Sequence, residues 1–241
     1  MAGDPEPRVF VDRHDAGAAL GEVLGPGVGI RPLLLALPRG GVPVAWEVAR
    51  RVGGRLDIWL VRKIGAPGRP ELAVGAVAEG GFRIVDRALV DRLDIDDEDL
   101  DASVDRAVRQ LAARRAAYHD RAPPALAGRE VVVVDDGLAT GATAHVAVRS
   151  VRAHDPARIV VAAPTGSREA IDLLSGEADD VVCVTSPEPF GAVGAWYDDF
   201  SPTTDDEVLR LLASTPSLLA RREDLQRPPR PEAGPTGPDH G

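Results

Sequence analysis

Several residue types are nearly missing from this 241-residue chain, and each scarcity excludes something. Cys183 is the only cysteine, so no disulfide can form within the chain. Its setting, Val181-Val182-Cys183-Val184, predicts a small apolar role in a buried strand rather than a reactive thiol. Basic residues are outnumbered, 28 Lys and Arg against 38 Asp and Glu, for a formal charge of −10. That balance argues against nucleic-acid binding as the main task, which needs a basic face. No apolar run is long enough to cross a bilayer, and Met1 to Arg8 lack the apolar core of a signal peptide. The expectation is a cytoplasmic protein with no membrane partner. Two phosphate-binding patterns are absent as well. There is no Gly-Lys-Ser/Thr ending for a P-loop and no G-x-G-x-x-G for a dinucleotide fold. Lysine occurs once, at Lys63, in a chain otherwise rich in arginine, which suggests that an ammonium suits that position better than a guanidinium.

What is present alternates between two periodicities. Leu33–Leu37, Leu56–Val61, Val131–Val134, Ile159–Ala163 and Val181–Val184 are short, continuous apolar runs, as strands buried on both faces require. Between them, Val42–Arg51, Thr143–Ala153 and Ser167–Leu174 have helical spacing. Such alternation predicts an α/β fold, a parallel sheet with helices on both faces. Asp96 to Tyr118 reads as one long helix with an acidic first turn, a stripe of Leu100, Val104, Val108 and Leu111, and Arg114 and Arg115 near its end. Arg62 to Leu72 carries Gly65, Pro67, Gly68 and Pro70 and predicts a mobile loop. Val74–Ala78 and Phe82–Val85 form a hairpin signal around Glu79-Gly80-Gly81, with Glu71 and Glu79 read as surface acids. A last helix is expected near Asp205 to Leu219. The domain is expected to occupy residues 1–224, with an irregular aromatic cap at about 186–202, and residues 225–241 to form a disordered Pro-rich tail.

Residues 131 to 143, Val-Val-Val-Val-Asp-Asp-Gly-Leu-Ala-Thr-Gly-Ala-Thr, carry the chemistry. The valines end in two adjacent carboxylates, Asp135 and Asp136, followed by a turn of small residues from Gly137 to Thr143 and then a helix. Backbone N–H groups of such a turn, aided by the helix dipole, hold phosphate oxygens. Thr140 and Thr143 add hydroxyls, while Gly141 and Ala142 keep side chains out of the way. A carboxylate pair would repel that phosphate, so it needs another partner, ribose hydroxyls or a magnesium ion with its waters. An ordinary helix cap would require neither the second acid nor the crowded small residues.

This stretch resembles the 5-phosphoribosyl-1-pyrophosphate (PRPP) signature of the type I phosphoribosyltransferases. The resemblance implies a Rossmann-like parallel core with a small hood that recognises the base. It implies that Asp135 and Asp136 hold the ribose hydroxyls, with any contact to Mg2+ indirect, and that Ala139 to Thr143 wrap the 5′-phosphate. Arg39-Gly40-Gly41, directly after the first core strand, matches the place of the family's pyrophosphate loop, and arginine meets a diphosphate with a fork of donors. Arg62 and Lys63 stand where the family's flexible loop closes over the substrates, and the resemblance implies that Lys63 closes over the leaving pyrophosphate and neutralises it. In the cap, Phe190, Trp196 and Tyr197 are candidates for stacking a flat heterocycle, Trp196 foremost, and Asp198 and Asp199 either accept hydrogen bonds from the base or are simply exposed. The third position after the acid pair, an acid in hypoxanthine-type enzymes, is Ala139, closer to adenine- and orotate-type signatures. The expected activity is Mg2+-dependent transfer of 5-phosphoribose from PRPP to a nitrogenous base with release of pyrophosphate, in a possible homodimer. A PRPP- or nucleotide-sensing regulator that keeps the pocket without transfer is the alternative. Because a carboxylate facing a site costs stability, Asp136→Asn is expected to harm turnover far more than folding.

Overall fold

The computed structural model describes residues 8–29, 31–118 and 122–214. Five strands form one wholly parallel sheet: β1 (Leu33–Ala36), β2 (Arg55–Ile58), β6 (Glu130–Val134), β7 (Arg158–Thr165) and β8 (Asp180–Thr185), in the spatial order β2-β1-β6-β7-β8. The strand expected over Leu56–Val61 stops at Ile58, and Val61 opens a different sheet. Period-two alternation splits the side chains between two faces. Leu34, Ala36, Val132, Val134, Val160 and Ala162 meet α1 (Arg13–Leu24), α2 (Gly41–Val52) and a last helix at 205–214, here α7. Leu33, Leu35, Val131, Val133, Ile159 and Val161 meet α5 (Ala142–Arg152) and α6 (Arg168–Ser175). Burying each such Val or Leu stabilises the fold by about 1.5–3 kcal/mol. Trp59, also in the second layer, satisfies its indole N–H on the buried Ser150 Oγ at 2.7 Å. Cys183 in β8 is half-buried, and burial pushes its thiol up to about 12, which disfavours the thiolate.

The segment expected as a mobile loop is instead ordered. Val61–Ala66 (β3) and Arg69–Ala78 (β4) pair antiparallel around a turn at Pro67-Gly68, and Phe82–Val85 (β5) completes a three-stranded sheet. The Gly and Pro residues that signal a loop mark a bulge near Gly65 and the turn, where Gly68 has φ 67°. One face of this small sheet, Ile64, Val74 and Val77, packs on α3 (Arg87–Arg92) and α4 (Asp97–Tyr118) through Val90, Leu100, Val104 and Ala107. Ala107, not Val108, continues the α4 stripe; Val108 is 48% exposed. Helix α3 has no counterpart in the sequence reading. Asp86 caps it by accepting the Leu89 N–H at 2.9 Å. Glu79 is no surface acid: at 1% exposure it sits in the turn between β4 and β5, bonded to Arg115. The predicted tail, and the last helix beyond residue 214, lie outside the described residues.

Candidate active site

The turn after β6 is fixed at both ends. Asp135 N donates to Ala162 O at 3.2 Å, Leu138 N to Thr165 O at 2.9 Å, and Ser167 N to Leu138 O at 2.8 Å. Ser167 Oγ also donates to Ala139 O at 2.6 Å. Gly141 closes the turn with φ 69°, left-handed, against Ala170. Helix α5 begins at once, and its first internal bond runs from His145 N to Gly141 O, at 2.8 Å. The N–H groups of Thr143 and Ala144 therefore point out of the helix end without an intrahelical acceptor. Asp135 and residues 137–144 line a recess of about 150 Å³. Amides, two threonines and a helix N-terminus around a small recess make an anion cradle.

The acid pair is not symmetrical. Asp135 accepts the Asp136 N–H at 2.9 Å. Burial, and then the neighbouring Asp136 charge, push its carboxyl well above the usual range. Asp136 is paired: Arg13 Nε meets its Oδ2 at 2.9 Å, with both side chains largely buried. Arg13 also donates to Ser201 O at 2.8 Å and lies 4.0 Å over the Phe200 ring, while Tyr197 OH donates to Asp136 O at 2.6 Å. Arg13 is a site residue that the sequence did not reveal, being 123 positions from its partner. Its presence overturns the argument that the Asp136 carboxylate only costs stability.

The segment Pro38-Arg39-Gly40-Gly41 leaves β1 beside this turn, with Leu37 N donating to Val134 O at 2.8 Å. Gly41 begins α2, and a Cβ there would lie 2.6 Å from Val134 O and 3.0 Å from the Asp135 Cα. A Cβ on Gly40 would overlap the Asp136 carboxylate. Gly41 thus lets the two loops touch backbone to backbone, and Gly40 leaves room for the Asp136 carboxylate. Arg39 is exposed and points toward Asp205, 3.8 Å away.

Neighbours on β3 diverge. Lys63 joins Val61, Ala142 and Thr143 in lining a cavity of about 310 Å³ between the small sheet and the start of α5. Arg62, on the opposite face, donates to Gln110 Oε1 of α4 at 2.6 Å. The cavity that Lys63 lines shares Ala142 and Thr143 with the recess after β6, whereas Arg62 faces α4. In the cap, Tyr197 is buried with Phe10, and Trp196 is half-buried, its indole N–H bonded to Phe190 O at 2.9 Å. The cap touches the turn through Val193, which fills the space a side chain on Gly137 would need. Asp199 is turned to the Ser201 N–H at 2.9 Å.

A family model for the phosphoribosyl transferase domain matches residues 29–195. The chain belongs to the phosphoribosyl transferase domain family. Both glycine loops and Lys63 fall inside the match, whereas Arg13, Trp196 and Asp205 fall outside it. Over 208 residues, 85% of the chain, it is 42% identical to Mycobacterium tuberculosis proteins of strains CDC 1551 and H37Rv that are named as presumed phosphoribosyl transferases. It spans about half, 46%, of their length. The crystal structure of TT1426 from Thermus thermophilus superposes with a TM-score of 0.75 at 45% identity, covering 86% of this chain and 99% of that one. A phosphoribosyl transferase domain thus accounts for the parallel sheet, its two glycine loops and the acid pair between them.

Proposed function

We propose that the protein transfers the 5-phosphoribosyl group of PRPP to a nitrogenous acceptor and releases pyrophosphate. The observation that carries this reading is the direct packing of Gly40-Gly41 on Val134-Asp135-Asp136, which supports reading the two loops as anion sites that flank one carboxylate pair. PRPP has that pattern: a monophosphate, a diphosphate and hydroxyls between them. Ala139 to Thr143 hold the 5′-phosphate with backbone N–H groups and hydroxyls. Asp135 accepts hydrogen bonds from the ribose, and Asp136, fixed by Arg13, walls the sugar from the other side. Arg39 with the amide of Gly40 holds the diphosphate, while the Gly41 N–H, which donates to Leu37 O at 3.1 Å, fixes the loop. Lys63, close to Thr143, adds positive charge on the 5′-phosphate side. C1 of the sugar gains positive charge as its bond to pyrophosphate breaks, and the acceptor nitrogen supplies the new electron pair from the opposite face. Rate comes from holding the partners in line and from fixed charges around the departing anion, with no covalent nucleophile.

Magnesium fits this chemistry. Among the described residues no cluster of three or more His, Cys, Asp or Glu can hold a metal by itself. A magnesium ion that keeps its waters and the diphosphate oxygens needs only one or two protein carboxylates, and Asp135 and Asp136 are the ones at hand. When bound, the ion neutralises charge on the leaving pyrophosphate. The acceptor approaches past the cap, near Val193. Ala139 offers no acid to take a proton from a purine such as hypoxanthine, which favours acceptors that do not need one at that position. A cytoplasmic setting, where PRPP is made, suits this reading.

The test is pyrophosphate release from Mg2+-PRPP across a panel of purine and pyrimidine bases. Release with any of them supports transfer. Tight PRPP binding without release on every base points to the sensing regulator instead.

A further inference from the structure

A diphosphate carries several negative charges, yet the loop proposed to hold it offers one cation, Arg39, and Lys63 lines a cavity with Thr143 instead. A second guanidinium is close at hand. Arg114, one turn before the end of α4, donates from Nη2 to Asp205 Oδ1 at 2.7 Å and from Nη1 to Oδ2 at 3.3 Å. Arg39 Nη1 approaches the same Oδ1, at 3.8 Å. Two arginines from distant parts of the chain therefore share one carboxylate oxygen, near enough for a single diphosphate to meet both. Tyr118 OH donates to that oxygen at 2.7 Å, and Arg114 lies 4.9 Å over the Tyr118 ring. The next residue, Arg115, is buried and bonded to Glu79, which fixes the helix turn that presents Arg114. Both Arg114 and Arg39 remain more than 40% exposed at their side chains, open to an anion arriving from solvent. Like charges at this range repel, so Asp205 is the counterion that holds them together when no anion is bound.

We propose that Arg114 is a second pyrophosphate-binding residue, and that Asp205 is the resident counterion of Arg39 and Arg114, which the diphosphate displaces. The inference rests on the transfer reading above. Its test is calorimetric titration of Mg2+-pyrophosphate into the full chain and four variants. Arg114→Gln and Arg39→Gln should each weaken binding by about tenfold or more, the loss of a charge-assisted, bidentate contact. Arg114→Lys should recover part of it, as a point charge without the fork. Asp205→Asn should bind as tightly as the parent or tighter, because a competing negative charge is gone while the Asn carbonyl still accepts from Tyr118. Equal weakening by Arg114→Gln and Asp205→Asn would make the pair a mere strut between α4 and α7 and overturn the inference alone. Arg39→Gln without effect, or no pyrophosphate binding by the parent, would remove the transfer reading and this inference with it.

Discussion

Asp135 and Asp136 are adjacent in the chain, yet their carboxylates do different work. The Arg13 guanidinium, half enclosed by Phe200 and Tyr197, satisfies Asp136, whereas burial and the Asp136 charge raise Asp135 well above the usual carboxylate range. The signs of two substitutions follow. Asp135→Asn removes a desolvated, repelled charge, so its melting temperature should equal or exceed that of the parent, while turnover falls roughly 100-fold through lost sugar orientation. Asp136→Asn strands a largely buried guanidinium and should lower stability by about 1–3 kcal/mol as well as turnover. Thermal melts beside pyrophosphate-release rates separate the two. A melt of Asp135→Asn well below that of Asp136→Asn would contradict the assignment of their surroundings.

At the scale of elements, strand alternation decides which cation serves the site. Lys63 and Val61 face the cavity at the start of α5, and Arg62 between them faces Gln110. Lys63→Gln should weaken binding of ribose 5-phosphate several-fold and leave pyrophosphate binding nearly unchanged, whereas Arg62→Gln should alter neither; titrations of the two ligands measure this. The contact between loops makes a second prediction. Gly41→Ala places a methyl group 2.6 Å from Val134 O, so any helix-propensity gain of about 1 kcal/mol is outweighed, and both melting temperature and PRPP affinity should fall. These elements were legible in the sequence to different degrees. The runs Leu33–Leu37 and Val131–Val134 announced strands because a sheet covered on both faces requires unbroken apolar residues. The acid pair and small-residue turn were readable because the cradle is built from consecutive positions. The hairpin β3-β4 was not, since its bulge and turn carry the Gly and Pro that also signal a loop. Helix α3 has six residues, too few for a period to show. Arg13, Arg114 and Asp205 take their roles from partners about 90 to 120 positions away, and nothing local marks them. Glu79 sits beside two glycines and looks like a surface acid; only its tertiary neighbour, Arg115, makes burial tolerable.

That last pair joins the whole molecule. Arg115, from α4, donates to Glu79 in the turn of the small sheet at 3.1 Å, to Ile58 O at the end of β2 at 3.2 Å, and to the buried Asp57 at 3.3 Å. The small sheet, the parallel sheet and the long helix that presents Arg114 meet at this guanidinium. Burial pushes Glu79 up to about 7, with Asp57 adding to the rise and Arg115 opposing it. A carboxyl raised in the folded state binds its proton more tightly there than in the unfolded chain. Its stabilising contribution is therefore complete below about 4.5 and is lost as the pH climbs to about 7. A rise of that size corresponds to on the order of 3 kcal/mol. His14 and Asp135 are also raised and act in the same direction, so comparison with Glu79→Gln isolates this group. Denaturant unfolding at pH 5 and pH 8 should show the parent losing stability across the interval and Glu79→Gln losing distinctly less. Arg115→Gln should lose more stability than the parent across the same interval. At pH 5 Glu79 is largely protonated and needs its cation least, whereas at pH 8 its buried carboxylate loses that cation, at a cost of about 3–5 kcal/mol. A penalty for Arg115→Gln that is equal at both pH values would mean that Glu79 keeps one protonation state throughout the interval, and that its carboxyl does not set the pH dependence.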